Sequence, residues 1–327
     1  MSRSLSAVVR RTLNAGPAAV AVLLFVLMYG IYASRTPAAT TLFGITNLLN
    51  NGIVLAVASA GVTLVVLTGE FDLSGVAVIG ISNCVVATIS ASSAYGWLTS
   101  LVAVLAIGAG VGLLNGVLVA GLGLQSLAVT IGTMIGCEGM ALLILSAPGG
   151  QVADSIADGL TGNVLNVLPV AALILAALCA AWVVFSRTRL GIAIFAVGAD
   201  ALAARLSGVN ERRTKVAAFV IAGLCYAAAG YMLSAQTGSG DPRASDSLLL
   251  FMYASVAIGG TSLMGGRGGV FGSIIGAGIL TVMQKMLFAL GVAEFYTYVF
   301  NGIIMIVALI VANLSASLAR QMRRRSA

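Results

Sequence analysis

The sequence contains no histidine and few charged residues of either sign. Its 327 residues include 17 lysines and arginines and 10 aspartates and glutamates, so charged residues make up only 8% of the chain. Without imidazole, acid–base catalysis by histidine and histidine-ligated metal sites are excluded. Soluble domains are about one quarter charged. A chain with so little charge cannot cover a water-exposed surface, which indicates a membrane protein.

Lysine and cysteine are also scarce. The only lysines, Lys215 and Lys285, are followed by valine and methionine, so the chain has no G-x-x-x-x-G-K-[ST] nucleotide-binding loop. The four cysteines lie inside apolar blocks and form no C-x-x-C pair, so no disulfide framework or zinc site is indicated: Cys84, Cys137, Cys179 and Cys225. We expect no metal, no cofactor and no enzyme activity in this chain, so the energy for any uphill work must come from a partner or an ion.

Apolar residues account for most of what is present. They make up 60% of the chain, and the mean hydropathy is +1.08. A membrane-spanning helix needs about 20 apolar residues. Windows of that length predict an all-α membrane protein with about ten spans, at 18–33, 48–68, 74–91, 97–120, 125–146, 168–185, 216–235, 248–264, 270–290 and 295–313.

The positions of the basic residues predict the orientation of these spans. With the N-terminus in the cytoplasm, 14 of the 17 basic residues fall in cytoplasmic segments, and the outside loops hold only Arg35 and Arg243. Both termini are then cytoplasmic. We therefore expect a cytoplasmic N-terminal segment at 1–17, one membrane domain at 18–313 and a basic cytoplasmic tail at 314–327. Because this topology accounts for the net charge of +7, it gives no reason to expect nucleic acid binding.

One long internal segment, 187–215, is basic and contains no membrane span. Within it, residues 201–206 read A-L-A-A-R-L, which favours a helix. Asp200 is placed to cap the N-terminus of that helix, and Gly208 to end it. A short cytoplasmic helix of this kind either contacts a soluble partner or is a solvated helix that only fixes orientation.

Four stretches carry a family resemblance. They are L-T-G-E-F-D-L-S at 67–74, L-A-V-T-I-G-T-M at 127–134, the T-R-L-G, A-V-G-A-D and A-A-R-L-S-G elements of 188–208, and I-G-G-T-S-L-M-G-G-R-G-G at 258–269. They resemble the membrane permease subunits of bacterial ABC importers of the ribose type, which take up monosaccharides and related small polyols. The resemblance covers about 47–312. It departs from the family pattern at Glu70 and Phe71, where Gly-Ile is usual.

The resemblance implies a type II-like ABC importer permease fold, multi-pass in the bacterial inner membrane and surrounded by lipid. It implies a second permease subunit, identical or paralogous, and a cytoplasmic ABC ATPase that binds ATP and Mg. It also implies a periplasmic or lipid-anchored sugar-binding protein. Seven residues of segment 187–215 would then couple the permease to the ATPase: Asp200, Ala203, Ala204, Arg205, Leu206, Ser207 and Gly208.

Three polar residues within the spans are candidates for a sugar path. A neutral polyol needs hydroxyl and amide partners, which Asn83, Thr130 and Thr133 provide. Glu70 and Asp72 form an acidic pair in a basic cytoplasmic face, where they either start a helix or contact substrate or a partner.

A further turn and two charges need separate explanations. Gly265, Gly266 and Arg267 lie in a glycine-rich stretch without the lysine of a phosphate-binding loop, which predicts a tight re-entry turn. Glu138 and Lys285 fall within spans, where ionisable residues are functional candidates. Three roles are open to them. They can be structural, as an ion pair or as side chains that reach the membrane interface; they can line a substrate path; or they can couple transport to protons. A self-sufficient secondary transporter with Glu138 or Lys285 as its ion-linked site is the alternative to an ATP-driven importer.

Overall fold

The structure is a computed structural model that describes residues 17–291, together with Val299 and Gly302. The predicted N-terminal segment up to residue 16, most of the predicted tenth span and the basic tail therefore lie outside the described residues.

The described part of the chain is mostly helical. Its helices are α1 (Pro17–Arg35), α2 (Leu42–Leu67), α3 (Gly75–Ile89), α4 (Gly96–Gly116), α5 (Ser126–Ile144), α6 (Asp154–Thr161), α7 (Val170–Phe185), α8 (Arg189–Ala199), α9 (Ala201–Leu206), α10 (Glu211–Thr237), α11 (Leu248–Ile258) and α12 (Val270–Ala289). A π-helical turn, Val117–Gly121, extends α4. The short strands β1 (Asn163–Val164) and β2 (Leu168–Pro169) pair antiparallel.

Within the described residues, 6 helices are long and apolar enough to cross a membrane: α2, α3 with the turn that follows it, α4 with its extension, α5, α10 and α12. The predicted span 168–185 corresponds to α7, which is bent by 77° relative to α8; counted as one bent span, this pair brings the number to 7. Two further predicted spans correspond to shorter apolar helices, Ala19–Arg35 and Leu248–Ile258. The described residues thus contain a multi-helix membrane bundle with fewer full-length spans than the sequence predicts.

The predicted span 248–264 extends too far. Helix α11 ends at Ile258 because a run of glycines follows it. Gly260, Gly265, Gly266 and Gly268 all have positive φ angles, which a regular helix does not accommodate.

Helix α10 lies at the centre of the bundle and packs against α4, α2 and α3. Glycines make the contact with α4 close: a Cβ added to Gly108 would lie 2.2 Å from the carbonyl oxygen of Gly223, and one added to Gly112 would lie 2.3 Å from that of Phe219. Small residues let membrane helices approach each other in this way. Any larger side chain at these positions would force the two helices apart.

The loops gather in two sets at opposite ends of the bundle. The basic end consists of segments 68–74, 121–125, 186–210 and 259–269; there the amide of Gly266 donates to the carbonyl of Leu67 at 3.0 Å. The acidic end consists of segments 36–41, 90–95, 145–169 and 238–247; there Gly149 and Gly240 form a backbone bridge. The positions of the basic residues in the sequence predicted that these two sets of loops lie on opposite sides of a membrane. The structure groups the loops in the same way, because successive spans run in opposite directions.

Candidate functional site

The predicted helix in segment 187–215 is confirmed as α9. The Asp200 carboxylate accepts hydrogen bonds from the amides of Leu202 at 2.9 Å and Ala203 at 3.0 Å. Gly208, two residues after the helix, has φ +83°, which permits the chain to turn away. Helix α8 was not predicted; it begins after Thr188, whose hydroxyl accepts a hydrogen bond from the Gly191 amide at 3.1 Å.

Helix α9 presents different residues to the bundle and to its surroundings. Ala204 is buried against the rest of the chain, whereas the side chains of Leu202 and Leu206 are 60% and 82% exposed. Leu202 was not among the predicted coupling residues. The other members of that set are also exposed: Asp200, Ala203, Arg205, Ser207 and Gly208. Two exposed leucines on one short helix at the basic end form a surface that a soluble partner could contact.

Charged side chains connect this region to the bundle. Lys215 lies 2.8 Å from Glu70 and 2.9 Å from Glu211, and Arg205 lies 3.3 Å from Glu211. Over the described ranges these are the three salt bridges, and all are at the basic end. Of the two roles suggested for Glu70, the carboxylate contacts a cationic partner, Lys215, and within the described chain it makes no hydrogen bond to the start of α3.

Asp72 organises the turn that leads into α3. It is buried, and its carboxylate accepts hydrogen bonds from the Ser74 amide at 3.0 Å and the Ser74 hydroxyl at 2.6 Å. Asn115 in turn donates to the Ser74 hydroxyl at 2.8 Å. Burial raises the pKa of Asp72 to about 6, against the opposing effect of the Ser74 hydrogen bonds.

Tyr253 holds the same turn and was not singled out from the sequence. Its hydroxyl accepts from the Asp72 amide and donates to the Asp72 carbonyl, both at 3.0 Å. Its ring stacks on Phe71, with centroids 5.9 Å apart, and the Phe71 amide donates to the Ser126 hydroxyl at 3.3 Å. Segment 68–74 is thereby tied to both α11 and α5. In the sequence, Tyr253 could have been noticed only as the single tyrosine within the apolar stretch of α11.

Asn83 joins α3 to the turn after α10. It is fully buried, and its amide nitrogen donates to the Ser234 hydroxyl at 2.9 Å and the Ser239 carbonyl at 3.1 Å. Its amide oxygen accepts from the Asp241 amide at 2.7 Å. In this conformation Asn83 makes three hydrogen bonds to protein groups.

The remaining candidates for a substrate path lie on α5. Thr130 is fully buried and Thr133 is half-buried, and both hydroxyls donate to backbone carbonyls of α5 itself. Glu138 is half-buried on the same helix. Thr133 and Glu138 are therefore the members of this set that retain exposed surface.

Lys285 and Glu138 do not pair with each other within the described chain. The Lys285 ammonium donates to the side-chain oxygen of Asn47 at 2.5 Å, and neither charge belongs to the three salt bridges above. The suggested ion pair between them is therefore wrong for this conformation.

The glycine turn at 265–267 has the tight geometry that the sequence predicts. A Cβ added to Gly265 would lie 2.9 Å from the Gly69 amide nitrogen, and one added to Gly266 would lie 2.7 Å from Ala199. Arg267 is exposed. The turn thus packs its backbone directly on segment 68–74 and on the end of α8.

The sequence that forms these elements matches a known family. The family model described as branched-chain amino acid transport system, permease component, matches residues 44–309. The chain belongs to this family.

Several curated relatives are similar over most of their length. The chain is 33% identical to a probable ABC transporter permease protein of Escherichia coli K12, over 87% of this chain and 86% of the relative. It is 30% identical to the ribose import permease protein of the same organism, over 88% and 91%. It is also 30% identical to the galactose/methyl galactoside import permease protein of Haemophilus influenzae, again over 88% and 91%. No solved structure matches the chain.

Proposed function

We propose that this protein is the transmembrane permease subunit of an ATP-driven ABC importer for a monosaccharide or a related small polyol. The observation that carries this function is the family match over 44–309 together with sugar import permeases among the similar proteins. The exposed α9 supports it, because an importer subunit needs a surface through which a separate ATPase can act.

The partners follow from this function. A cytoplasmic ABC ATPase would bind ATP and Mg and contact α9 through Leu202 and Leu206. An extracytoplasmic sugar-binding protein would meet the acidic end, and a second permease subunit would complete the path. The basic end would then face the cytoplasm of a bacterium, in keeping with the excess of lysine and arginine on that side.

The secondary transporter is not favoured. Its two suggested residues do not form one site in this conformation, since Lys285 donates to Asn47 and forms no salt bridge with Glu138 within the described residues. The family to which the chain belongs consists of permease components, so the energy source is expected on a partner.

Reconstitution tests the function directly. The permease would be placed in proteoliposomes with its ATPase and binding protein, and uptake of labelled ribose, galactose and fructose would be measured with and without ATP. We expect uptake of one of these sugars only with ATP and both partners. Uptake by the permease alone, abolished by an ionophore, would favour the secondary transporter, and uptake of amino acids alone would overturn the sugar assignment.

A variant of α9 tests the coupling surface. Leu206→Glu places a charge on a side chain that is 82% exposed, so the fold should be retained while docking of the ATPase is lost. We expect uptake to fall more than about tenfold, since the new carboxylate would be buried without a partner in the interface. Leu122→Glu, at a 66% exposed position of the 121–125 loop at the same end of the bundle, is the matched control. Equal uptake in both variants would remove α9 from the interface.

Membrane sidedness can be tested separately. A periplasm-active reporter inserted after Asp246 should give a signal, and the same reporter inserted after Gly208 should not. The reverse pattern would overturn the proposed orientation and leave the family assignment intact.

A further inference from the structure

A chain of ion pairs runs from α9 to segment 68–74. It begins at Arg205, which lies 3.3 Å from Glu211 in the first turn of α10. Glu211 lies 2.9 Å from Lys215, and Lys215 lies 2.8 Å from Glu70. Four side chains from three segments are thus linked in series.

The inner links of this chain are sheltered from solvent. The side chains of Lys215 and Glu70 are 15% and 19% exposed, whereas that of Arg205 is 60% exposed. Exposed pairs are screened by salt and contribute little, while sheltered pairs are screened much less. The Lys215–Glu70 pair is therefore a strong link, and the Arg205–Glu211 pair is a weak one.

These side chains cross a gap that apolar packing does not fill. An open cavity of about 660 Å³ lies between the end of α9, the start of α10 and segment 68–74, with Arg205, Lys215, Leu124 and Glu70 among its lining residues. Ala204 is the buried residue of α9. Displacement of α9 can therefore act on segment 68–74 through the ion pairs of Glu211, Lys215 and Glu70. A second connection is the glycine turn at 265–267, whose backbone packs on segment 68–74 and on the end of α8.

The inner end of the chain leads to buried polar groups. Two residues beyond Glu70, Asp72 is held by Ser74 through its side chain and by Tyr253 through its backbone. The outer ion pairs are thus connected along the chain to the buried groups around Asp72.

We propose that Glu70 and Lys215 are positioning residues that transmit movement of α9 to segment 68–74 and to the buried cluster around Asp72. This inference rests on the proposed function, because it assigns a task to α9 in an ATP-driven importer. Breaking the pair would leave ATP hydrolysis intact but reduce the amount of solute moved for each ATP.

The test uses the complete transporter in proteoliposomes, with its ATPase and binding protein. Glu70→Gln and Lys215→Met each remove one charge, and uptake and ATP hydrolysis are measured in parallel. We expect the ratio of solute to ATP to fall about tenfold in each variant, and the double variant to fall no further than the worse single one, since residues acting as one link are not additive. Arg213→Gln is the matched control, because Arg213 is an exposed cation of α10 outside the three salt bridges of the described residues.

Three outcomes would overturn the proposal. They are a normal ratio of solute to ATP in Glu70→Gln, strictly additive losses in the double variant, or a parallel fall of both activities with a lowered melting temperature. If Glu70→Gln yields too little folded protein, Glu211→Gln can replace it, because it removes the ion pairs of Glu211 with Arg205 and with Lys215. A normal ratio of solute to ATP in that variant would likewise overturn the proposal. Failure of the unmodified permease to couple to any ATPase would instead count against the proposed function.

Discussion

The basic and acidic ends of the bundle both contain hydrogen bonds, but within the described residues only the basic end also has salt bridges. At the basic end, three salt bridges and close glycine contacts join α9, the 259–269 turn and segment 68–74. At the acidic end, neutral hydrogen bonds join the loops, including the Gly149–Gly240 bridge and the bond from the Gln151 amide to the Ala87 carbonyl at 2.9 Å.

This difference has mechanical consequences. A buried amide hydrogen bond has a narrow geometry and is costly to leave unmade, so it fixes one arrangement. An ion pair between long side chains tolerates some displacement, and its strength falls gradually with distance. The ion pairs of the basic end can therefore yield to some displacement while they stay connected. The backbone hydrogen bonds of the acidic end and the glycine contacts of the basic end each hold one arrangement.

The largest effect is expected where the basic end is most tightly packed. A Cβ added to Gly198 would lie 1.8 Å from the Leu67 carbonyl oxygen and 2.7 Å from the Gly266 amide nitrogen. Because backbone atoms cannot give way as a flexible side chain can, Gly198→Ala should abolish uptake and lower the melting temperature by about 10 °C. Gly110→Ala is the control, since nothing lies within 4 Å of the added methyl group. A Gly198→Ala protein with unchanged melting temperature would show that the contact is loose.

The acidic end should respond less strongly to loss of its central amide. Asn83→Ala leaves the Asp241 amide, the Ser239 carbonyl and the Ser234 hydroxyl without these partners in a buried site. A buried group left unsatisfied costs about 1–3 kcal/mol, which corresponds to a fall of about 5 °C in melting temperature. Thermal unfolding in nanodiscs measures this shift. Lost uptake with an unchanged melting temperature would instead place Asn83 in the substrate path, as the sequence first suggested.

Local signals predicted helix α9 well. Asp200 and Gly208 mark α9 through capping and turn chemistry that depends on neighbouring residues only. Helix α8 was missed because its short apolar run follows directly on a basic loop, and its 77° bend from α7 depends on packing. The span at 248–264 was drawn too long because apolarity alone does not register the glycine turn after Ile258.

The site was less predictable, because its contacts join residues far apart in sequence. Asp72 and Tyr253 are 181 positions apart, and Lys215 and Glu70 are 145 apart. Nothing in the residue types identifies these partners in advance. The predicted topology did place Glu70 and Lys215 on the same side of the membrane. It therefore reduced the number of possible partners for each residue but did not identify the pair.

A smaller effect on the melting temperature is expected from protonation of Asp72. Its sign is opposite to that expected for most carboxylates, whose protonation destabilises the folded state. Its pKa is raised to about 6 from 3.8, so the folded protein binds this proton more tightly than the unfolded chain does. Stability should therefore rise as the pH falls through 6, by about 3 °C in melting temperature between pH 7.5 and pH 5.

Two variants separate this contribution from that of other carboxylates. Asp72→Asn should flatten the pH profile of the melting temperature in that window. Burial also raises the pKa of Asp246 at the acidic end, so Asp246→Asn is the comparison and should flatten the profile less, because Asp246 is less completely buried than Asp72. A profile that falls with decreasing pH in the unmodified protein would contradict the assignment.

The smallest change in stability is expected for the two threonines of α5, the helix that connects the two ends. The Thr130 hydroxyl donates to the Ser126 carbonyl at 2.8 Å, and the Thr133 hydroxyl donates to the Val129 carbonyl at 3.2 Å. Both bonds stay within one helix, where such back-bonding adds little stability. Valine preserves the shape of threonine, so each substitution should change the melting temperature by about 1 °C or less. Any change in uptake then reports contact with the solute.

Because Thr133 is half-buried and Thr130 fully buried, Thr133→Val should raise the KM for uptake several-fold while Thr130→Val should not. Equal and unchanged KM values would remove α5 from the substrate path, and a larger effect at Thr130 would mean that α5 turns its buried face toward the path during transport.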